Sequence, residues 1–257
     1  MDQVRDFVVG DNPNNNKQWR KIYILGGLAA FLAFLLTLTD IVFGSISSGN
    51  LSQLPNTAIE RFYEFQQNSL FGLYHLDLLN VINSIIMVPL YFALFAVHRK
   101  SSLPFAAFAL VTACIGSTVF VSTNTALPML ELSRKYFAAG DETYKTLIAA
   151  AGEALISRGE HGSLGVLIGF TLSTLSSILM SFVMLNGRIF NKVVSYLGII
   201  GNILLLTYIL LVTFVPAIKN TAAAIAAPGG LAALAWLFMT GVKLIKQEKT
   251  ENIKEGC

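Results

Sequence analysis

Six long apolar runs dominate the chain, at 21–43, 76–97, 103–122, 164–185, 193–215 and 222–244. Each reaches the roughly 20 residues that a helix needs to cross the hydrocarbon of a bilayer. A spanning segment must satisfy its backbone hydrogen bonds internally, so these runs predict helices. The chain reads as all-α, a polytopic integral membrane bundle of six transmembrane helices. One domain covers 20–245, between a flexible cytoplasmic N-terminal tail at 1–19 and a cytoplasmic C-terminal tail at 246–257.

Two connections, 44–75 and 123–162, are too long for simple turns and have a periodicity of their own. In 57–74, Ile59, Phe62, Tyr63, Gln66, Leu70, Leu73 and Tyr74 form a largely apolar stripe opposite Glu60, Arg61, Glu64 and Gln67. In 124–160 the pattern predicts helices at 129–139 and 142–157, the second N-capped by Asp141. Tyr144, Leu147, Ile148, Ala151 and Leu155 recur there at helical spacing. Short amphipathic helices are thus expected to cap the external face of the bundle.

Charge supports this topology. The chain is 54% hydrophobic and only 13% charged, against about 25% charged in a typical soluble domain. Most of its 18 Lys and Arg residues lie on one side of the spans: Arg5, Lys17, Arg20, Lys21, Arg99, Lys100, Arg188, Lys192, Lys243, Lys246, Lys249 and Lys254. That bias places both termini in the cytoplasm, and the net charge of +3 reflects topology rather than a nucleic-acid partner. The first run is too long for a signal peptide. Cys114 lies within a span and Cys257 at the C-terminus, so no disulfide framework is expected.

Within the spans, Gly165, Gly169, Ser173, Ser177 and Ser181 recur every four residues. Such a face lets helices pack closely in lipid, and with Thr171, Thr174 and Ser176 it also allows a hydroxyl-lined pathway. Pro89 inside the second run removes a backbone donor, giving a packing kink or a gating hinge. Pro228-Gly229-Gly230 is expected to interrupt the start of the sixth run.

The second run carries the most suggestive polar face. Asp77, Asn80, Ser84 and Tyr91 share a narrow wedge, with His75 and Asn83 beside it. Ionisable groups near a membrane segment are candidates for function, although a structural hydrogen-bond network needs the same residue types. His75, Asp77, Glu153 and His161 are weak candidates for a metal site, lacking an HExxH-type spacing. There is no G-x-S-x-G elbow, P-loop or dinucleotide fingerprint, and no catalytic residue or cofactor is predicted.

TNTALPMLELSRKYFAAG, AAGEALIS, SFVMLNGRIFNKVVSYLGIIGN and the earlier GLYHLDLLNVINSIIMVPLYFALF resemble, in order and wording, an uncharacterised prokaryotic family, domain of unknown function 4386. The resemblance covers nearly all of the chain between the tails. It implies a six-span protein of the prokaryotic cell membrane and carries over no reaction or site residue. The functional expectation is a protein that binds a lipid-like or small amphiphilic ligand, or a membrane partner, under its external cap. A small-molecule transporter is the alternative, and an intramembrane metal-dependent lipid hydrolase the second.

Overall fold

Hydrocarbon offers no partner to a backbone amide, and the chain responds with helices throughout. The computed structural model describes residues 13–47, 55–159 and 163–255, and no strand occurs among them. The helices are α1 (Pro13–Ser47), α2 (Ala58–Gln67), α3 (Ser69–His75), α4 (Leu78–His98), α5 (Leu103–Thr123), α6 (Ala126–Ala138), α7 (Glu142–Gly159), α8 (Leu164–Gly187), α9 (Lys192–Phe214) and α10 (Lys219–Glu255). A 3₁₀ turn at Pro216–Ile218 precedes α10. Six helical stretches are long and apolar enough to span a membrane, and each overlaps one of the six runs of the sequence, the third and fourth stretches running on into the neighbouring short helices.

Four expectations change at the ends and breaks of elements. Residues 13–19, assigned to the N-terminal tail, already belong to α1, and α10 continues through most of the C-terminal tail. The first twelve residues, His161 and Cys257 lie outside the described residues. Pro228 sits inside α10 without ending it; adjoining Gly229 brings that helix against the carbonyl of Gly201 at 3.0 Å from a Cβ position. The single helix expected over 57–74 is two helices, because Asn68 both ends α2 and caps α3. Its side chain accepts from the amides of Leu70 and Phe71, at 3.0 and 3.3 Å.

The six spanning helices form a closed ring in chain order, α1–α4–α5–α8–α9–α10, with α10 returning to α1. α4 and α8 also touch across the ring, where the Tyr91 hydroxyl and Ser177 Oγ share a buried hydrogen bond of 2.5 Å. Short polar connections tie neighbours together. Asn83 donates to Thr37 at 3.2 Å, Ser117 to the Ser84 carbonyl at 3.0 Å, and Ser176 to the Ala109 carbonyl at 2.8 Å.

Small residues set how close the helices come. A Cβ on Gly169 would lie 2.9 Å from Phe120 Cα, and one on Gly116 2.9 Å from the amide nitrogen of Ser173. The four-residue repeat of α8 is therefore the packing surface for α5, with Ser177 and Ser181 extending it towards α4 and α9. Gly27 and Gly241 bring α1 and α10 together in the same way, each Cβ position 3.2 Å from the other's carbonyl oxygen. Without a hydrophobic drive between helices in lipid, such contact area and its few hydrogen bonds hold the ring.

The prediction from this packing is specific. Gly169→Ala forces a methyl against backbone that cannot rotate away and is expected to destabilise the bundle by about 1–3 kcal/mol. Gly140→Ala, with nothing within 4 Å of its Cβ position, is the control and should leave the melting temperature unchanged. Thermal melts of both variants in the same detergent check the difference.

Candidate functional site at the junction of cap and bundle

The cap consists of α2, α3, α6 and α7, folded on their own apolar core. Phe62, Phe65, Leu76, Met129, Ile148 and Ile156 are buried together there. Gly152 lets α7 lie against α2, since a Cβ would sit 2.6 Å from that of Ala58 and 2.9 Å from Phe62 Cζ. Thr57 and Glu60 form a capping box at the start of α2. Glu153 reaches across from α7 to accept from the Ala58 amide at 2.7 Å. Tyr144 donates its amide to Asp141 at 3.0 Å, which makes Asp141 the expected cap of α7.

Arg61 was expected on the solvated face of this segment; it is instead 1% exposed. Its Nη1 donates to Glu64 Oε2 at 3.1 Å, and Glu64 Oε1 pairs with His75 Nδ1 at 2.5 Å. The break at Asn68 explains the arrangement: it folds α3 back on α2 and brings His75 beside Glu64, eleven residues earlier. Burial by itself raises the carboxyl of Glu64, but His75 and the charge of Arg61 outweigh it and hold the pKa below the ordinary value of 4.5.

The cap meets the bundle where the chain crosses between them. Asn124 donates to the Leu76 carbonyl at 2.7 Å and Arg158 to the Ser122 carbonyl at 3.1 Å. Gly159 packs against Thr123 and Thr125. At this junction Asp77 has φ 62°, a left-handed conformation uncommon for any residue but glycine and tolerated best by Asn and Asp. Asn80 donates to Asp77 Oδ1 at 3.1 Å. Tyr74 donates its hydroxyl to the Asp40 carbonyl at 3.0 Å, joining α3 to the end of α1. Its phenol is held well above the ordinary pKa by burial first, then by Asp40 and Asp77. Tyr208 of α9 lies within electrostatic reach of the same two carboxylates.

The residues expected to form one site are divided by this geometry. Asp77 and Asn80 stand together at the junction, and His75 belongs to the Glu64 pair in the cap. Asn83, Ser84 and Tyr91 are engaged deeper, by Thr37, by Ser117 and the Val81 carbonyl, and by Ser177. Glu153 caps α2, away from His75's partner. No three His, Cys, Asp or Glu residues among those described are placed to hold a metal. Asp40, Tyr74 and Tyr208 join the junction without having been expected there. Their signal was faint, because they lie near the ends of the first and fifth spans and in α3 of the cap, parts of the chain that only the fold brings together.

Fold and junction together define a six-span helical membrane protein with a folded cap. The chain belongs to the family described as domain of unknown function (DUF4386), which it matches over residues 21–241. No curated protein and no solved structure matches it.

A pH dependence follows from Glu64. Folding lowers its pKa, so its contribution is complete at neutral pH and is lost as pH falls from about 4.5 through the lowered folded value. Glu64→Gln is expected to destabilise the cap at pH 7 and to flatten the loss between pH 5 and 3. Hydrogen exchange of α2 and α3 across that range is the measurement.

Proposed function

We propose that the protein binds a lipid-like amphiphile at the junction of cap and bundle, its head group held by Asp77 and Asn80 with Asp40, Tyr74 and Tyr208 around it. The reading rests on the left-handed backbone of Asp77. A non-glycine residue held in that region costs of order 1–3 kcal/mol and persists where its surroundings demand it, often at binding sites. Two carboxylates accept hydrogen bonds, so the head group is one that donates them, through hydroxyls or an ammonium. The level of the site, at the ends of α1, α4 and α9, is where a lipid head group meets its chains. The apolar interior of the cap is filled by its own side chains, so the ligand lies at the rim rather than beneath the lid.

In this reading the cap is external and both termini are cytoplasmic, as the distribution of Lys and Arg suggests, and the membrane is the prokaryotic cell membrane that the family resemblance implies. Transport draws less support, because the polar groups of α4 are individually taken up by neighbouring helices. Among the described residues, metal-dependent hydrolysis lacks a converging ligand set.

Native mass spectrometry of the protein released from lipid nanodiscs tests the proposal. Bound lipid should be retained by the wild type and fall by about tenfold in Asp77→Asn, which keeps the left-handed tolerance but removes a charge-assisted acceptor. Asn80→Ala should act in the same direction. An empty wild-type protein, or variants that retain as much lipid, would sink the reading.

A further inference from the structure

The spans contain many hydroxyl groups, and most follow one rule. Ser173, Thr174 and Ser177 donate to carbonyls four residues earlier, at 2.9, 2.9 and 3.1 Å, and the Asn202 amide donates to the Gly198 carbonyl at 2.8 Å. Ser181, Ser195 and Thr240 do not. Each is fully buried, and its hydroxyl has no hydrogen-bond partner among the described residues. The same holds for the indole Nε1 of Trp236, a residue 2% exposed.

Two of these groups meet at one place, and helical spacing puts the other two one turn away. Gly198 of α9 is the reference point: its Cβ position is in contact with Ser181 Oγ of α8 and 2.7 Å from Trp236 Nε1 of α10. From there α9 and α10 run antiparallel. One turn further from the cap, α9 presents Ser195 and α10 presents Thr240, on the same faces as Gly198 and Trp236. Towards the cap the next layer is closed, since a Cβ on Gly201 would lie 2.9 Å from that of Ala232 and 3.1 Å from the Gly229 carbonyl. The result is a polar layer between three helices, closed on the cap side at Gly201 and set within apolar side chains such as Met180, Met184 and Leu237.

We propose that this polar layer holds an internal hydration site, in which water bridges Trp236 Nε1 to the hydroxyls of Ser181, Ser195 and Thr240. Four buried polar groups left bare would cost far more than four hydrogen bonds return, and buried polar groups are nearly always paired. The chemistry selects a small neutral molecule. It must accept from an indole N–H and both donate to and accept from hydroxyls, and the described site presents no charged group to hold an ion. Water meets each demand and makes two to four such bonds when buried. A hydroxyl could instead turn to a carbonyl of its own helix, but the indole N–H has no such escape. Trp236 therefore reports on the site most directly.

The chain has two tryptophans, Trp19 and Trp236. In the full-length protein with ¹⁵N-labelled indoles, Trp19→Phe assigns the two N–H resonances. Cross-relaxation from water to the Trp236 N–H is expected in both proteins, and it should weaken in Ser181→Ala and Ser195→Ala. The melting temperatures of these variants and of Thr240→Val should fall, because each removes a partner of the bound water. A Trp236 N–H that shows no contact with water overturns the proposal. So does contact only with carbon-bound protons of an organic molecule, or a rise in melting temperature in all three variants, the result for bare hydroxyls in a dry layer.

Discussion

The six-helix ring answers to the exclusion of water from the middle of the bilayer. Burying apolar surface gains nothing there, since lipid is as apolar as leucine, and helices cohere through close contact and a few hydrogen bonds. The ring shows both means. Gly116 and Gly169 bring α5 and α8 to backbone contact, Gly27 and Gly241 do so for α1 and α10, and Tyr91 with Ser177 bonds the ring across its middle. The same constraint makes each unpartnered donor conspicuous, and so Trp236 stands out where an indole at a soluble surface would not.

The cap obeys the opposite rule. Its helices fold as those of a small soluble domain do, with aromatic residues inside, side-chain caps at the helix ends and a buried charge network where one charge must be enclosed. Arg61 is held in place by Glu64, which in turn is bridged to His75. The two halves of the molecule are thus stabilised by different physics, with Asp77 at the seam.

Much of this was legible in the sequence. Six apolar runs gave the spans, because length and hydropathy suffice for that, and the four-residue repeat of α8 announced its packing face. The fate of Arg61 was not legible. Periodicity placed it with Glu60 and Glu64 on a polar stripe, and the turn at Asn68, which changes the direction of the chain, encloses Arg61 and part of Glu64 while Glu60 stays exposed. The wedge of α4 misled for a related reason. Angular position around one helix says which residues share a face, and leaves open what each meets: Asn83 found Thr37, Tyr91 found Ser177, and only Asp77 and Asn80 remained together. Asp40 and Tyr208 joined them from remote parts of the chain, which no local pattern encodes.

The stitching of cap to membrane has a mechanical meaning. Every described passage of the chain into or out of the cap, at Leu76, at Thr123–Thr125 and at Gly159, is gathered at one knot, tied by Asn124 and Arg158. Among the described residues, the cap is thus tied to the bundle at this knot and, through Tyr74, at α1. A push at its far edge is carried as torque to α4, α5 and α8 at once, and through Tyr74 to α1.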